Sequence, residues 1–175
     1  MFIKIIVVLS ILSLSLPVFS VSKVSNIYGE KVKYFLPKNW KEIRYGNNLY
    51  LVGPRDEKFK SPMVMISNSN IGNVKFNFNH LKKISNDYYK GRKTYLKKIG
   101  ETQVKKIPMQ FKDDLKNYWY EMGYQSRSEL YFKEEITRYQ SCKKQLFHIK
   151  SIRYKSKLIS GADVLSKVRG SIRCI

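Results

Sequence analysis

The sequence contains few of the residues and patterns from which common active sites are built. Its 175 residues include only two histidines and two cysteines. It has no Gly-rich phosphate loop, no zinc-protease helix and no nucleophile elbow. Neither cysteine has a ligand-type residue at the spacing of a metal site. These absences argue against the enzyme classes that those motifs define, and the sequence predicts neither a cofactor nor a metal.

Acidic residues are also scarce. Aspartate and glutamate total 13 against 34 lysines and arginines, so the formal net charge is +21. Such a field attracts anionic lipid headgroups, lipopolysaccharide, acidic polymers or nucleic acid. Lysines outnumber arginines 26 to 8, which makes nucleic acid the less favoured partner, because Arg geometry suits bidentate contacts to phosphates and bases. The alternative is that lysine only solubilises the domain.

Long hydrophobic runs are absent apart from one at the N-terminus. Lys4 precedes an apolar run over residues 5–18, and the segment Val18-Phe19-Ser20 lies at the end of this run. This pattern predicts a secretory signal peptide over residues 1–20, cleaved after Ser20, and hence a periplasmic or extracellular protein. No cysteine follows the run, so a lipoprotein anchor is not indicated. An uncleaved N-terminal membrane anchor is the alternative, although the run is shorter than the roughly 20 residues of a membrane-spanning helix.

The rest of the chain is predicted to form one domain. Residues 21–30 are polar and suggest a flexible lead-in, and residues 31–175 have the size of a domain with its own core. Aromatic residues make up 14% of the sequence and are spread along it, which argues against disorder. No internal repeat is visible, and no second apolar stretch approaches membrane-spanning length.

The two cysteines, Cys142 and Cys174, predict a single disulfide in an oxidising compartment. The loop of about 32 residues would contribute on the order of 3 kcal/mol through the unfolded state. It would also attach the last helix and the chain end to the sheet. A free thiol and an intermolecular bridge are the competing interpretations.

Strand signals dominate both halves of the domain. In the first half the predicted strands are residues 31–36, ending at Pro37, 40–43, 49–52 and 63–66, with a turn at 46–48. The segment 63–66 is apolar throughout, so we expect it at the centre of a sheet. In the second half the predicted strands are 103–107, ending at Pro108, 109–111, 118–124, 129–139 and 145–154, with a turn at Asp113-Asp114. A short link at 141–144 predicts a hairpin, and the last three strands predict an antiparallel meander.

Two segments have helical periodicity. Leu81, Ile84 and Tyr88 follow an i, i+3, i+7 pattern that predicts a helix from about 78 to 90, capped by Asn77 or Asn79, with an extension towards Gly100. A second helix is predicted from a capping-box-like pair, Ser160 and Asp163, with a buried stripe of Ala162, Leu165, Val168 and Ile172. The order of strands, helix, strands and helix predicts an α+β domain with helices packed on an antiparallel sheet.

The order of these elements is similar to that of a known family. The segments Leu36-Pro37-Lys38-Asn39-Trp40, residues 49–54 and residues 62–66, followed by a helix, a meander and a closing helix, resemble the PsbP-like fold. That family includes the photosystem II extrinsic protein and DcrB-type bacterial envelope proteins. The resemblance implies an antiparallel sheet sandwiched by helices and a non-enzymatic binding or accessory role, with no catalytic residues to transfer.

Aromatic and cationic residues alternate in the first helix. The candidate anion-binding residues are Lys82, Lys83, Lys90, Arg92, Lys93, Lys97 and Lys98. Together with Tyr88, Tyr89 and Tyr95 they suit a single-stranded nucleic acid or an anionic lipid surface. In the alternative interpretation the tyrosines pack on the sheet and the lysines face solvent.

The histidines offer a different function. His80 and His148 could act as acid and base in a small secreted hydrolase of the nuclease type, because imidazole titrates near neutral pH. Glu134 and Glu135 would face opposite sides of a strand and cannot form an acid–base pair. The sequence therefore predicts an exported, non-catalytic envelope protein that binds an unidentified protein or an anionic envelope component, with the nuclease as the alternative.

Overall fold

The computed structural model describes residues 20–55, 59–69, 77–113, 118–143, 145–158 and 163–175. These residues form ten strands and two helices. The strands are β1 (Ser20–Ile27), β2 (Glu30–Pro37), β3 (Lys41–Tyr45), β4 (Asn48–Val52), β5 (Met63–Asn68), β6 (Thr102–Lys112), β7 (Trp119–Arg127), β8 (Phe132–Cys142), β9 (Gln145–Lys155) and β10 (Arg173–Cys174). The helices are α1 (Phe78–Lys98) and α2 (Val164–Ser171).

The strands form two antiparallel sheets. The larger sheet has seven strands in the order β3-β4-β5-β9-β8-β7-β6, and the smaller has three in the order β1-β2-β10. The predicted meander is confirmed as β7, β8 and β9, which pair in sequence order. The predicted central strand is confirmed as β5, which lies between β4 and β9. The predicted α+β class is therefore confirmed.

Helices and the smaller sheet cover the two faces of the large sheet. On one face, α2 and β2 pack over an aliphatic cluster that includes Leu49, Leu51, Val64 and Ile66, all fully buried. On the other face, α1 packs over the β6–β7 side, where Tyr120 and Met122 are buried. Successive residues of a strand point to opposite faces, so Glu134 and Glu135 separate as predicted: Glu134 pairs with Arg153, whereas Glu135 pairs with residues on the α1 face.

The capping residues explain where the helices begin. The Asn77 side chain accepts a hydrogen bond from the backbone N–H of His80, so the cap predicted for α1 is confirmed. α1 does not stop near Lys90 but continues through Gly91 to Lys98, and Gly100 follows with a φ of 71°. Asp163 was predicted as the acidic residue of a capping box that starts at Ser160, but it is itself the cap of α2 and accepts from the Ser166 N–H. Ser160 and Ala162, which the sequence analysis assigned to this helix, lie outside the described residues.

The expected flexible lead-in over residues 21–30 is instead a paired strand. All eight residues of β1 pair with β2, and the hairpin turns through Tyr28 and Gly29, both with positive φ. The Ser25 hydroxyl bonds to the Tyr34 hydroxyl at 2.8 Å, and Tyr34 donates to Glu42 on β3 at 2.7 Å. Polar composition suggested a loose segment because it does not reveal the hairpin partner or the hydroxyl contacts that order β1.

Proline does not end the strand at position 108. β6 runs continuously from Thr102 to Lys112, with register irregularities between Gln103 and Lys105 and between Ile107 and Gln110. Because β6 is an edge strand, a residue without an N–H is tolerated there. In the same half, β8 begins at Phe132 rather than at the predicted Glu129.

The predicted disulfide joins Cys142 to Cys174, whose Cα atoms are 5.5 Å apart. Cys142 ends β8, and Cys174 lies on β10, which pairs with β2. The disulfide therefore attaches the segment that follows α2 to the large sheet, as the sequence analysis expected.

Candidate functional site

The outer surface of α1 carries the main concentration of exposed cations predicted from the sequence. Six of the seven candidate residues are exposed: Lys82, Lys83, Lys90, Lys93, Lys97 and Lys98. Asp87 is the only acidic residue of the 21-residue helix. At 1.5 Å per residue the helix is about 32 Å long, so these lysines form an extended cationic surface, called here the lysine face.

The inner side of α1 is fixed to the sheet by apolar and tyrosine side chains. Leu81, Tyr89 and Leu96 are buried, and Tyr88 is partly buried. The Tyr89 hydroxyl donates to the Ile107 carbonyl of β6. Burial and the neighbouring Glu135 raise the pKa of Tyr88 to about 12. Tyr88 and Tyr89 therefore serve packing, as the alternative interpretation held, and Tyr95 is the tyrosine of α1 that is exposed.

Arg92 does not lie with the exposed lysines of α1, where the sequence pattern placed it. Its guanidinium pairs with Glu135 at 3.2 Å and lies over the rings of Tyr88 and Tyr95. Glu135 also pairs with Lys150 on β9 at 3.5 Å and accepts from the Tyr124 hydroxyl at 2.9 Å. Arg92 thus neutralises a buried carboxylate between helix and sheet, and it does not belong to the lysine face.

A groove between α1 and β6 extends the cationic surface onto the sheet. It encloses about 450 Å³ and is lined by Asn86, Tyr89, Lys90, Lys93, Gln103 and Lys106. The Lys106 ammonium lies 5.3 Å from the centre of the Tyr89 ring. Because β6 supplies one of the three cations, sequence proximity within α1 could not have identified the groove.

The two histidines occupy unrelated positions. His80 is exposed in the first turn of α1, whereas His148 lies on β9 with its ring stacked on Tyr139, centroids 5.0 Å apart. Burial, together with Lys150, lowers the pKa of His148 to about 4. No hydrogen bond or ring contact joins the two histidines within the described part of the chain, so the geometry gives no support to the nuclease alternative.

A buried ion cluster on the α2 face escaped the sequence analysis. Glu121 of β7 accepts hydrogen bonds from Arg138 of β8 at 2.9 Å and from Arg169 of α2 at 3.0 Å. Arg169 also donates to the Ser151 hydroxyl at 2.9 Å. The charged residues inside two predicted strands could have indicated such a cluster, but only the register of the folded sheet reveals which residues pair.

No helix among the described residues is both long and apolar enough to cross a membrane. These residues also contain no group of three or more His, Cys, Asp or Glu side chains that could hold a metal ion.

The comparison with solved structures defines the class of fold. No protein-family model matches the sequence, and no curated protein matches it. The architecture is PsbP-like, as the order of elements suggested. The likeness to DcrB-type proteins stays a prediction.

A particular solved structure supports this assignment. The solution structure of cyanobacterial PsbP (CyanoP) from Synechocystis sp. PCC 6803 aligns with a TM-score of 0.56 at 9% identity, covering 88% of this chain and 92% of that one. At this identity the likeness shows the fold alone.

Proposed function

We propose that this chain is an exported, non-catalytic protein that binds an anionic envelope surface through the lysine face of α1. The observation that carries the proposal is the exposure of six lysines on a helix with one acidic residue. The N-terminal pattern over residues 1–20 supports export, and the Cys142–Cys174 disulfide is suited to an oxidising compartment. The PsbP-like fold is compatible with an accessory role.

The charge distribution suits a surface better than a single small ligand. Lysine ammonium groups are point charges without the planar fork with which arginine grips one phosphate or base. The one arginine of α1, Arg92, is engaged with Glu135. The lysines run from Lys82 to Lys98, about 24 Å along the helix, and therefore match an array of negative charges, which each lysine can contact independently.

Exposed apolar side chains favour a lipid surface among the anionic partners. Phe78 at the start of α1 is 56% exposed, and Tyr95 and Ile99 at its end are 47% and 45% exposed. Phe78 packs against Phe111 of β6, which is itself exposed, with ring centroids 5.8 Å apart. These side chains lie at the two ends of α1 rather than among its lysines, so they can add apolar contacts to lipid headgroups at the margins of the lysine face.

Liposome binding tests the proposal. The purified chain should bind vesicles of phosphatidylglycerol and not vesicles of phosphatidylcholine, and binding should weaken at least tenfold from about 50 to about 500 mM salt. A lysine near an anionic bilayer contributes about 1 kcal/mol. Replacing the six lysines of the lysine face by glutamine should therefore abolish binding.

A charge-matched variant is the control. Six exposed lysines outside α1, namely Lys31, Lys33, Lys38, Lys155, Lys157 and Lys167, are replaced by glutamine to give the same net charge. If this variant loses binding as completely as the first, net charge and not the lysine face is responsible. Binding that ignores salt would contradict the proposal, and retention on heparin alone would indicate an acidic polymer as the partner.

A further inference from the structure

The groove between α1 and β6 brings together lysines from two elements of the fold. Asn86, Lys90 and Lys93 follow an i, i+4, i+7 spacing, so they share one stripe of the helix. This stripe and Lys106 of β6 line a volume of about 450 Å³. All four residues are exposed, so a ligand in the groove can reach their ammonium and amide groups.

The register of the sheet shows which lysine of β6 projects towards the helix. Lys106 lies opposite Tyr124, whose ring packs against α1. Its neighbour Lys105 lies opposite Gln125, which donates to Glu134 on the α2 face. Because residues directly opposite each other project from the same face of a sheet, Lys106 belongs to the groove and Lys105 lies on the other side.

The floor of the groove is held in place by the protein itself. Tyr89 is 7% exposed, and its hydroxyl donates to the Ile107 carbonyl of β6. The Lys106 ammonium lies 5.3 Å from the centre of the Tyr89 ring. These contacts join the helix to β6, so the fold sets the separation between the lysines of α1 and Lys106. Cations arranged in this way lose little freedom when they bind an anion.

The groove carries positive charge that nearby carboxylates do not remove. Its described lining contains three ammonium groups and no carboxylate. Asp87, the one acidic residue of α1, is not part of this lining and can offset at most one of the charges. Glu135 and Glu101, on the same side of the sheet, are already paired with Arg92 and Lys133. About two positive charges are therefore left for a ligand.

A phosphate monoester matches this charge. It carries about −1.5 to −2 charges at pH 7 and presents three acceptor oxygens, whereas a phosphate diester carries a single charge. Lysine binds phosphate as a point charge, and the Asn86 amide offers further donors to the same oxygens. The volume lies within the range of small-molecule sites, which suits one headgroup.

We propose that the groove between α1 and β6 binds the phosphate monoester headgroup of an anionic lipid, with its oxygens at Lys90, Lys93 and Lys106. This inference rests on the proposed function, because the lysine face brings the groove to the lipid surface. The lysine face attracts any anionic surface, whereas the groove gives the protein a preference for one class of headgroup.

Vesicles with two kinds of headgroup test this preference. One set contains phosphatidic acid, a monoester, and the other contains phosphatidylglycerol, a diester, each diluted with phosphatidylcholine to the same zeta potential. The purified chain, with its disulfide formed, should bind the phosphatidic acid vesicles at least about fivefold more tightly in a sedimentation assay. Equal affinity would overturn the groove site and leave the proposed function intact. Absence of binding to both sets would overturn the proposed function as well.

Neighbouring lysines of β6 provide matched variants. Lys106→Gln should reduce the preference to less than about twofold while binding to phosphatidylglycerol persists. Lys105→Gln, an equal charge change on the opposite face of the strand, should keep the preference. Lys98→Gln, on the lysine face but outside the groove, should weaken binding to both sets alike. All three residues are exposed, and circular dichroism checks that each variant folds. A full preference in Lys106→Gln, or its loss in Lys105→Gln, would contradict the assignment.

A soluble ester separates the lipid from a free phosphate compound. Glycerol 3-phosphate offers the same monoester to the groove but nothing to the rest of the lysine face, so it should bind at least about tenfold more weakly than the vesicles. During its titration the amide NMR signals of residues 86–93 and 103–107 should shift. Affinity equal to that of the vesicles would identify a soluble ester as the ligand, and shifts confined to other residues would place the phosphate elsewhere; either result would refute the proposal.

Discussion

The β4–β5 half and the β7–β8 half of the large sheet use opposite kinds of side chain in their interiors. In β4 and β5 the buried positions are aliphatic: Leu49, Leu51, Val64 and Ile66. In β7 and β8 the buried positions are mostly tyrosine, charged or amide residues, among them Glu121, Gln125, Glu134, Glu135 and Arg138. One sheet thus contains an aliphatic half and a polar half, joined through β9.

The two halves should respond to substitution in different ways. An aliphatic interior gains stability in proportion to the area it removes from water and does not depend on particular partners. A polar interior depends on each charge keeping its partner, because a single unpaired charge left behind costs more than the pair contributed. The polar half should therefore be the more sensitive to changes of charge without change of volume.

The largest effect is expected for Glu121→Gln. The substitution keeps the size of the side chain but removes the negative charge that Arg138 and Arg169 share. We expect a loss of about 3–5 kcal/mol in the free energy of unfolding, measured by urea denaturation followed by circular dichroism. Glu129→Gln, at an exposed position, should change stability by less than about 0.5 kcal/mol.

A triple variant sharpens this test. Replacing Glu121 by leucine and both arginines by methionine removes all three charges together and leaves none unpaired. Its stability should return to within about 1 kcal/mol of the original chain. If the triple variant is as unstable as Glu121→Gln, the cluster acts through specific hydrogen bonds and the distinction between the halves is not one of charge pairing.

Leu51→Ala tests the aliphatic half. Leu51 is fully buried on β4, so the substitution removes buried methyl groups and leaves a cavity, with an expected loss of about 2–5 kcal/mol by the same measurement. Leu130, which is 82% exposed, provides the matched control, and Leu130→Ala should cost less than about 0.5 kcal/mol. Equal losses at both positions would contradict the assignment of the core.

The smallest effect is a pH dependence from His148. Its pKa is lowered to about 4 by burial and Lys150, whereas an unfolded chain has a histidine pKa of about 6.5. Between these values the unfolded state binds the proton more readily, so stability falls as pH decreases from about 6.5 towards 4. By pH 5 this histidine should account for a loss of about 2 kcal/mol.

Two variants isolate this contribution. His148→Gln should reduce the slope of stability against pH between about 5 and 6.5, whereas His80→Gln should leave the slope unchanged, because His80 is exposed. An unchanged slope in His148→Gln would show that carboxylates alone cause the acid sensitivity.

Features set by local sequence pattern were predictable. Alternation indicated β7, a compact apolar segment indicated β4, a periodic stripe indicated α1, and Asn77 or Asn79 was predicted as its cap, of which the structure uses Asn77. The lysines of α1 were expected on its outer side and are exposed there. In each case the residues that decide the structure lie within a few positions of one another.

Features set by distant partners were not predictable. Arg92 follows the lysine pattern of α1, but it pairs with Glu135 of β8, which is 43 residues away in the sequence. The polar segment of β1 is ordered by its hairpin with the adjacent β2 and by the bond between Ser25 and Tyr34, neither of which its composition reveals. The charges inside β7 and β8 meet only in the register of the folded sheet. The ion cluster of Glu121, Arg138 and Arg169 therefore could not be found without the tertiary structure.

The two tryptophans of the chain fall one in each half of this architecture. Trp40 is 8% exposed in the aliphatic cluster, whereas Trp119 starts β7 beneath the Arg138 guanidinium. Their indole emission should therefore report two different surroundings within a single chain. Chains that keep only one of the two fluorophores make it possible to see whether the halves of the sheet melt together or one after the other.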